Sequence, residues 1–265
     1  VVLAIPYDVG GRDAGEIPAT PDPVLPAPLA VAGPHAEATV AAIARALGAA
    51  ERPLLLAGRG AWTAGAGEQL GRLADAVGAL TASTALGRGV FPRGEFDLGV
   101  TGGFGAEGAM DAIRDADVVV VFGASLNQFT MRFGELFSPE ATIAQVDVAP
   151  AATHPQVGRF LRADAALAAR AIADELERLG AAPSNWRDQV DVAGLGERDA
   201  GDGLAPDGRL DPRSAAAAIA DLLPEDRVVV SDGGHFIGWA NMFWPVASPD
   251  RMMMIGTAYQ SIGLG

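Results

Sequence analysis

The sequence lacks cysteine and is poor in positively charged and aromatic residues. Among its 265 residues, 19 are Lys or Arg and 33 are Asp or Glu, which gives a formal net charge of −14. The absence of cysteine excludes disulfides, thiolate catalysis and zinc fingers. An acidic chain also lacks the clusters of Lys and Arg that nucleic-acid phosphates require. We therefore expect no nucleic-acid partner.

Long apolar runs and a targeting segment are absent as well. No run approaches the roughly 20 residues of a membrane-spanning helix, and Val1–Pro6 has no basic segment of the kind that opens a signal peptide. We therefore expect no membrane contact and a cytoplasmic location. Hydrophobic residues make up 49% of the chain and charged residues 20%, which is enough for one large domain or two smaller ones.

The stretch Asp117–Ser125 predicts a strand at the centre of a parallel sheet. Its consecutive Val residues and the Phe that follows do not alternate with polar residues, as they would in a strand with one solvent-facing side. A continuous run of this kind is typical of a strand buried on both faces. Gly123–Ser125 then lies at the carboxyl end of the strand, where ligands of open α/β sheets bind.

Predicted strands and helices alternate along the middle of the chain. Apolar runs predict strands at Pro53–Ala57, Ala79–Ser83, Val118–Val121, Ile143–Val148 and Phe160–Ala163, and apolar residues at helical spacing predict helices before, between and after them, with stops at Gly48, Gly78 and Gly180. This alternation predicts right-handed βαβ units. We expect a doubly wound, Rossmann-like α/β domain with six parallel strands and helices on both faces, plus partial flanking α/β domains.

Two stretches without periodicity, 10–32 and 181–209, predict linkers. Order returns at Asp211, a predicted N-cap with Pro212 at the first helical position. A buried strand at Arg227–Ser231 and another at Met252–Ile255 are predicted after that helix. We therefore expect a central domain at 33–180, flanked by pieces of two other domains at 1–9 and 210–265. Because each end predicts a strand without its sheet, we also expect the chain to be part of a longer protein.

Glycine-rich turns are the first candidates for a binding site. Gly103–Gly108 has the G-x-G-x-x-G spacing of the dinucleotide fingerprint, which requires a strand directly before it. Phe96–Thr101 is a poor strand candidate, so tight turns are the favoured interpretation. Glycine-rich turns that converge at the carboxyl edge of the sheet can still cradle a nucleotide without the fingerprint. The candidate residues for that role are Gly58, Arg59, Gly60 and Asp147.

His235 is the histidine with the best position for a ligand contact. It follows Asp232-Gly-Gly just after a predicted buried strand. Backbone N–H groups in such a turn can face an anion, and an imidazole can donate to a phosphate. A turn histidine that caps the next segment is an equally good interpretation. No spacing of His or acidic residues suits a transition metal.

Several segments in order along the chain resemble thiamine-diphosphate-dependent enzymes of the acetolactate synthase large-subunit type. Val1–Val9 resembles the last strand of that family's pyrimidine-binding domain and Arg52–Gly60 the opening of its central domain; Thr84–Pro92 resembles its "GKG-hydrophobic-P" loop, Ala116–Ala124 and Gln145–Pro150 its next two strands, Val228–Phe236 the start of its diphosphate-binding domain, and Gln260–Gly265 its "GTMGFG" segment. Each motif alone is modest, whereas their order is specific.

The resemblance implies a binding site for thiamine diphosphate. The turn at 233–236 would contact the diphosphate, Ile262 would hold the cofactor in its bent conformation, and the backbone carbonyl of Gln260 would accept from the aminopyrimidine. The implied cofactor-binding residues are Gly233, Gly234, His235, Phe236, Gln260, Ser261 and Ile262.

The family's other essential groups find no match in this sequence. Neither the glutamate that protonates the aminopyrimidine nor the Gly-Asp-Gly…Asn motif that holds magnesium is present, so we predict no catalytic residue and no metal ligand here and expect this chain alone to be inactive. Asn127–Thr130 replaces a Phe-Asp-Asp-Arg segment of the family's flavin site. The arginine is thereby lost, with Arg132 as a candidate substitute, and we expect no tightly bound FAD.

The resemblance implies an enzyme that decarboxylates a 2-oxo acid, with pyruvate as the first candidate, and joins the product to a second carbonyl. A 2-oxo acid decarboxylase or lyase of the same family is the close alternative. A non-catalytic nucleotide-binding scaffold module is the alternative from another class. Because family members build each active site between two subunits, we expect a homodimer or homotetramer.

Overall fold

The computed structural model describes residues 4, 6–13, 15, 16, 19, 26–234 and 236–254. In chain order the helices and strands are α1 Tyr7–Gly10, α2 Pro34–Gly48, β1 Pro53–Ala57, α3 Arg59–Thr63, α4 Gly67–Val77, β2 Leu80–Ser83, β3 Asp97–Val100, α5 Glu107–Asp115, β4 Val118–Phe122, β5 Thr142–Asp147, β6 Arg159–Arg162, α6 Ala165–Leu179, α7 Val192–Leu195, α8 Pro212–Leu222, β7 Val229–Ser231, α9 Ile237–Phe243 and β8 Met252–Met254.

Six strands form one parallel sheet in the order β3-β2-β1-β4-β5-β6. Leu55 of β1 pairs with Thr81 of β2 on one side and with Val120 of β4 on the other, and Val120 in turn pairs with Ala144 of β5. The chain winds outward from β1 to β3 and then restarts at β4 in the opposite direction. The predicted six-stranded, doubly wound α/β fold is therefore confirmed, with its switch in strand order between β1 and β4.

Strand β4 lies at the centre of the sheet and is buried along its whole length. Its side chains alternate between two cores: Val120 and Phe122 pack with α2, α4 and α6 on one face, whereas Val119 and Val121 pack with α5 and Trp186 on the other. Burying each such side chain contributes about 1.5–3 kcal/mol. The unbroken apolar run therefore reflects a strand with helices on both faces.

The helix boundaries follow local signals. The side chain of Asp164 accepts from the backbone N–H groups of Ala166 and Leu167 at the start of α6. Helices α4 and α6 end at Gly78 and Gly180, both in the left-handed conformation that glycine adopts without steric cost. These stops agree with the sequence prediction.

Strand β3 corrects the sequence analysis, which rated Phe96–Thr101 a poor strand. Asp97–Val100 pairs with β2 at the edge of the sheet, and its residues alternate between partial and full burial. An edge strand with one covered face does not need a continuous apolar run, and Gly99 adopts a φ of 80° beside an irregular register. These features hide the strand from a search for apolar runs.

The stretch 181–209 also contains more order than its composition predicts. A 3-10 turn at Trp186–Gln189 and the short helix α7 lie against the sheet face that carries α5. Trp186 is 4% exposed and packs in that core. A single large aromatic residue thus anchors a polar segment that has no periodicity.

The last described part of the chain forms a second, smaller unit of structure. Helix α8 begins at the predicted cap, where the side chain of Asp211 accepts from the backbone N–H of Arg213. Strands β7 and β8 pair in parallel, with Val230 opposite Met253. The predicted end of the last strand, Ile255, and most of the predicted strand at Val1–Ile5 lie outside the described residues. Nowhere in the described ranges is a helix long and apolar enough to cross a membrane.

Candidate functional site

The turns after β1 and β4 meet at the carboxyl edge of the sheet. The backbone N–H of Gly58 donates to the carbonyl of Phe122 at 2.9 Å, and that of Gly60 donates to the carbonyl of Gly123 at 2.9 Å. A Cβ on Gly60 would lie 2.8 Å from the Cα of Gly123. These glycines allow two backbones to touch, and the N–H groups of Gly58 and Gly60 are already engaged by protein carbonyls.

A cleft of about 140 Å³ lies at this edge, beside the switch in strand order. Gly60, Gly123 and Asp147 line it, together with Thr63 and Asp164. Of the four candidate nucleotide-binding residues, the cleft brings together Gly60 and Asp147. Arg59 is exposed and adjacent to Gly60 in the chain. One carboxylate oxygen of Asp147 accepts from the N–H of Ala149 at 2.9 Å. The cleft is smaller than the ~300–1,000 Å³ typical of ligand pockets.

The G-x-G-x-x-G segment does follow a strand, β3, and does open a helix, α5. Its glycines are nevertheless explained by packing. A Cβ on Gly103 would collide with the ring of Phe129, one on Gly105 with Met110, and one on Gly108 would lie 3.1 Å from Leu195. Tight packing therefore accounts for all three glycines, whereas the sequence analysis had favoured tight turns.

The loop after β4 contains the segment that the sequence analysis linked to flavin. Arg132 donates to both carboxylate oxygens of Glu107 at 3.1 Å, so its guanidinium is engaged in an ion pair. Arg132 and Phe133 both have positive φ, 47° and 59°, which is strained for residues with large side chains. Thr130 stabilises the turn by donating its N–H to the side chain of Asn127.

The loop Gly87-Arg88-Gly89, part of the "GKG"-like segment, joins the large sheet to the unit that contains α9. A Cβ on Gly87 would lie 2.7 Å from the carbonyl oxygen of Ala57, and one on Gly89 would lie 2.7 Å from that of Ala247. Between them, Nη1 of Arg88 donates to the carbonyls of Asn241 and Trp244, at 3.1 and 3.0 Å. The triplet therefore holds the carboxyl end of α9 against the carboxyl edge of the sheet.

The turn predicted to bind a diphosphate follows β7. Gly233 donates its N–H to the side chain of Asp232 at 2.6 Å, and Gly234 has a φ of 138°. Phe236 is 53% exposed at the start of α9. Gly233 is buried, whereas Gly234 is partly exposed at the carboxyl end of β7. Strand β7 itself is only half covered, since Val230 is exposed, and this corrects the sequence prediction of a buried strand. Because glycine lets a backbone approach an anion closely, Gly234 is the described position of this turn that suits a diphosphate.

The remaining predicted cofactor residues, His235, Gln260, Ser261 and Ile262, lie outside the described residues, and their roles stay predictions. Within the described ranges, no group of three or more His, Asp or Glu residues is arranged to hold a metal ion.

Two ionisable groups have strongly shifted pKa values: Arg88, beyond the carboxyl end of β2, and Asp97, at the start of β3. Burial, and to a lesser extent the positive charge of Arg198, lower the pKa of Arg88 to about 10. Burial raises the pKa of Asp97 to about 7, although the N–H of Gly99, which donates to its carboxylate, acts in the opposite direction. Both shifts arise because a charged form is held away from water.

Sequence reasoning missed Arg198 and Asn241. Arg198 donates from Nη2 to the carbonyl of Phe104 at 2.5 Å and comes from a stretch that was predicted to be a linker. Asn241 is 1% exposed and donates its side-chain amide to the carbonyl of Ile237. Neither residue stands in a motif, so no local signal marks them.

The six-stranded parallel sheet and the glycine-lined turns at its carboxyl edge define a doubly wound α/β domain. A family model described as "Thiamine pyrophosphate enzyme, central domain" matches residues 40–173, about half of the chain. The chain therefore belongs to the thiamine pyrophosphate enzyme family, and the resemblance drawn from its motifs is confirmed.

Curated relatives point the same way. The chain is 27% identical over 258 residues to the acetolactate synthase large subunit of Parasynechococcus marenigrum (strain WH8102), a match that covers 91% of this chain and 39% of the relative. It is 34% identical over 122 residues to a probable acetolactate synthase large subunit of Methanocaldococcus jannaschii, covering 46% of this chain and 20% of the relative. This chain thus spans about two fifths of the first relative's length.

A solved structure shares the fold. The crystal structure of benzoylformate decarboxylase from Polynucleobacter necessarius superposes with a TM-score of 0.62 over 90% of this chain and 43% of its own. The sequence identity is 18%, so this similarity concerns the fold.

Proposed function

We propose that this chain supplies the central domain, residues 33–180, and the beginning of the diphosphate-binding domain, residues 210–265, of a thiamine-diphosphate-dependent enzyme. The observation that carries the proposal is the Arg88 contact with α9. It ties a doubly wound domain of the family to a strand–glycine turn–helix unit, β7 to α9, in the order that the family requires. Residues 1–9 are the end of the pyrimidine-binding domain in this proposal, and 10–32 and 181–209 connect the three parts.

The proposed reaction is the decarboxylation of a 2-oxo acid, pyruvate first, followed by ligation of the product to a second carbonyl. The similarity to acetolactate synthase large subunits over most of this chain supports it. Thiamine diphosphate, when bound, supplies the electron sink for decarboxylation. Residues of this chain bind and orient: Gly234 offers backbone to the diphosphate, Gly233 shapes the turn, and the predicted His235 adds a side-chain donor.

A decarboxylase or lyase that releases its product without ligation is the second candidate. The fold similarity to a benzoylformate decarboxylase favours it. Both candidates require the acid–base glutamate and the magnesium motif, which match no residue of this chain. The chain alone is therefore expected to release no carbon dioxide from pyruvate above a no-protein control, even with added thiamine diphosphate and magnesium.

Exposed apolar side chains on the β7–β8 pair support the proposed domain assignment. Val230 is 46% and Met253 is 56% exposed, on the side opposite the buried Val229 and Met252. An apolar strand face is normally covered by another layer of structure. In the proposed enzyme, the rest of the diphosphate-binding domain covers it.

Calorimetry tests the proposal on the longer protein that we expect to contain this chain. Saturable binding of thiamine diphosphate that depends on magnesium is the expected result. A Gly234→Val variant, with Gly203→Val in an open surface turn as the matched control, should lose that binding. Product analysis with pyruvate then separates ligation from simple decarboxylation. A protein that binds no thiamine diphosphate would leave the scaffold alternative.

The central-domain cleft supports one further candidate role, the binding of a nucleotide. Asp147 lies at the carboxyl end of β5 and lines the cleft. Its Oδ1 accepts from the N–H of Ala149, and its Oδ2 is not part of that hydrogen bond. A carboxylate at this position suits the hydroxyl groups of a ribose. Titration of the chain with ADP tests this role. We also propose a homodimer or homotetramer in the cytoplasm, which sedimentation and fractionation measure.

A further inference from the structure

The guanidinium of Arg88 is buried and only partly bonded. Arg88 is 9% exposed, and within the described part of the chain neither its Nε nor its Nη2 has a hydrogen-bond partner. Guanidinium groups are always charged at physiological pH, and buried donors of this kind are nearly always satisfied. An arginine with three of its five N–H donors unused therefore indicates a missing acceptor.

The two unpartnered nitrogens, Nε and Nη2, form the edge of the guanidinium that binds oxyanions side-on. Nη1 is used by the carbonyls of Asn241 and Trp244, which leaves Nε–H and one side of Nη2 pointing along the same edge. That edge presents two parallel N–H groups, which match the two oxygens of a carboxylate or a phosphate. The bonds to α9 fix the guanidinium plane, so the fork is held ready for a ligand.

The charges around Arg88 favour an anion as well. No ion pair between described residues involves Arg88. Its charged neighbour is Arg198, which is itself held in place by its bond to the carbonyl of Phe104. Arg198 has the carboxylate of Glu107 near it, whereas Arg88 has only the positive charge of Arg198, so an anion beside Arg88 would relieve an unbalanced buried charge.

The position of the two arginines in the fold suits a ligand. Arg88 follows β2, and Phe104, which anchors Arg198, follows β3. Both strands end at the carboxyl edge of the sheet, where ligands of doubly wound domains bind. Helix α9 covers the region around Arg88 and Arg198 from the other side. A Cβ added to Gly238 of α9 would lie 3.6 Å from the ring of Phe104.

We propose that Arg88, assisted by the charge of Arg198, forms a binding site for a small oxyanion, which Nε and Nη2 of Arg88 hold side-on. The shared chemistry is a group with two oxygens on one edge, supplied either by an organic carboxylate or by a phosphate. This site requires no thiamine diphosphate, so its test is independent of the proposed function.

The test is calorimetric titration of this chain in a chloride buffer of constant ionic strength, with inorganic phosphate in one arm and acetate in the other. We expect saturable binding of one equivalent of phosphate or of acetate. The anion that binds shows whether the natural ligand carries a phosphate or a carboxylate. Arg88→Lys keeps the charge and a donor for the α9 carbonyls but removes the fork, so affinity should fall at least about tenfold, the effect of losing a charge-assisted hydrogen bond.

Two further variants complete the test. Arg198→Gln should weaken anion binding while leaving the guanidinium of Arg88 in place. It replaces Arg88→Lys in the test if the Arg88→Lys variant has a much lower melting temperature than the unaltered chain. Arg72→Lys, in an exposed ion pair with Glu68 on α4, should bind as the unaltered chain does. The proposal is overturned if neither probe binds saturably, or if both Arg88→Lys and Arg198→Gln bind as tightly as the unaltered chain.

Discussion

The backbone N–H of Gly60 donates to the carbonyl oxygen of Gly123, 2.9 Å away, across the point where the strand order of the sheet reverses. Gly60 follows β1 and Gly123 follows β4, so this bond joins the turns after the two central strands. The contact leaves no room for side chains on either backbone. It sets how closely the two halves of the doubly wound domain approach each other.

Gly123→Ala should therefore be strongly destabilising. Gly123 has a φ of 55°, and a Cβ there would collide with the backbone N of Ala61. A positive φ costs an alanine about 1–2 kcal/mol, and forced overpacking adds about 1–3 kcal/mol. Urea unfolding of the chain measures the loss. Gly180→Ala is the matched control, because Gly180 has a φ of 64° and open space around it. Equal losses in the two variants would show that the close approach is unimportant.

Stability should depend on pH through Asp97. Burial raises its pKa from 3.8 to about 7 in the folded chain. Between these values the folded state keeps a proton that the unfolded state has released, so stability is highest below pH ~4 for this group and falls as pH rises towards 7. Each unit of pKa shift is worth about 1.4 kcal/mol, so an effect of about 1–4 kcal/mol is expected.

Asp97→Asn isolates this contribution, because its side-chain oxygen still accepts from the N–H of Gly99. Urea unfolding at pH 5 and pH 8 should show a smaller loss of stability with rising pH in the variant than in the unaltered chain. Asp188→Asn, at an exposed position on the 3-10 turn at 186–189, is the control. Parallel pH profiles for the unaltered chain and Asp97→Asn would contradict the prediction.

The purified chain should carry no flavin. A flavin diphosphate in a glycine-rich crevice needs positive charge as well as backbone donors. Arg132, the candidate substitute for the family's arginine, is engaged by Glu107. The visible spectrum of the protein as purified, and again after incubation with FAD and gel filtration, measures this. A stoichiometric yellow cofactor would contradict the prediction and would support the proposed similarity in function to acetolactate synthases.

Three substitutions in the longer protein should separate binding from catalysis. His235→Ala should weaken thiamine diphosphate binding by about 1–2 kcal/mol, the scale of a lost hydrogen bond to a charged group. Gly234→Val should weaken it more, since a Cβ there would lie 2.7 Å from the ring of Phe236 and the φ of 138° is strained for valine. Ile262→Ala should leave affinity nearly unchanged and lower turnover, because the bent cofactor is no longer enforced.

Calorimetry and steady-state kinetics on the same preparations distinguish these outcomes. If Ile262→Ala weakens binding as much as Gly234→Val, the assignment of a purely steric role to Ile262 is wrong. If none of the three changes affects binding, the turn after β7 does not contact the diphosphate.

Much of the fold was predictable because its signals are local. The apolar run of β4 predicts a strand covered on both faces, and Gly78 and Gly180 predict the ends of two helices, since each signal lies within a few residues of the element that it defines. The family resemblance rests on the same kind of short segment. The order of these segments was enough to reach the family and the doubly wound sheet.

The remaining features were decided by contacts between residues far apart in the chain. Strand β3 is a strand because β2 lies beside it, and Trp186 orders a polar stretch because it enters the core above α5. Arg88 reaches Asn241 and Trp244 across more than 150 residues, and Arg198 reaches Phe104 across 94. A buried arginine with an unused edge can be recognised only when these distant partners are in place, because burial and hydrogen-bond satisfaction are properties of the packed chain.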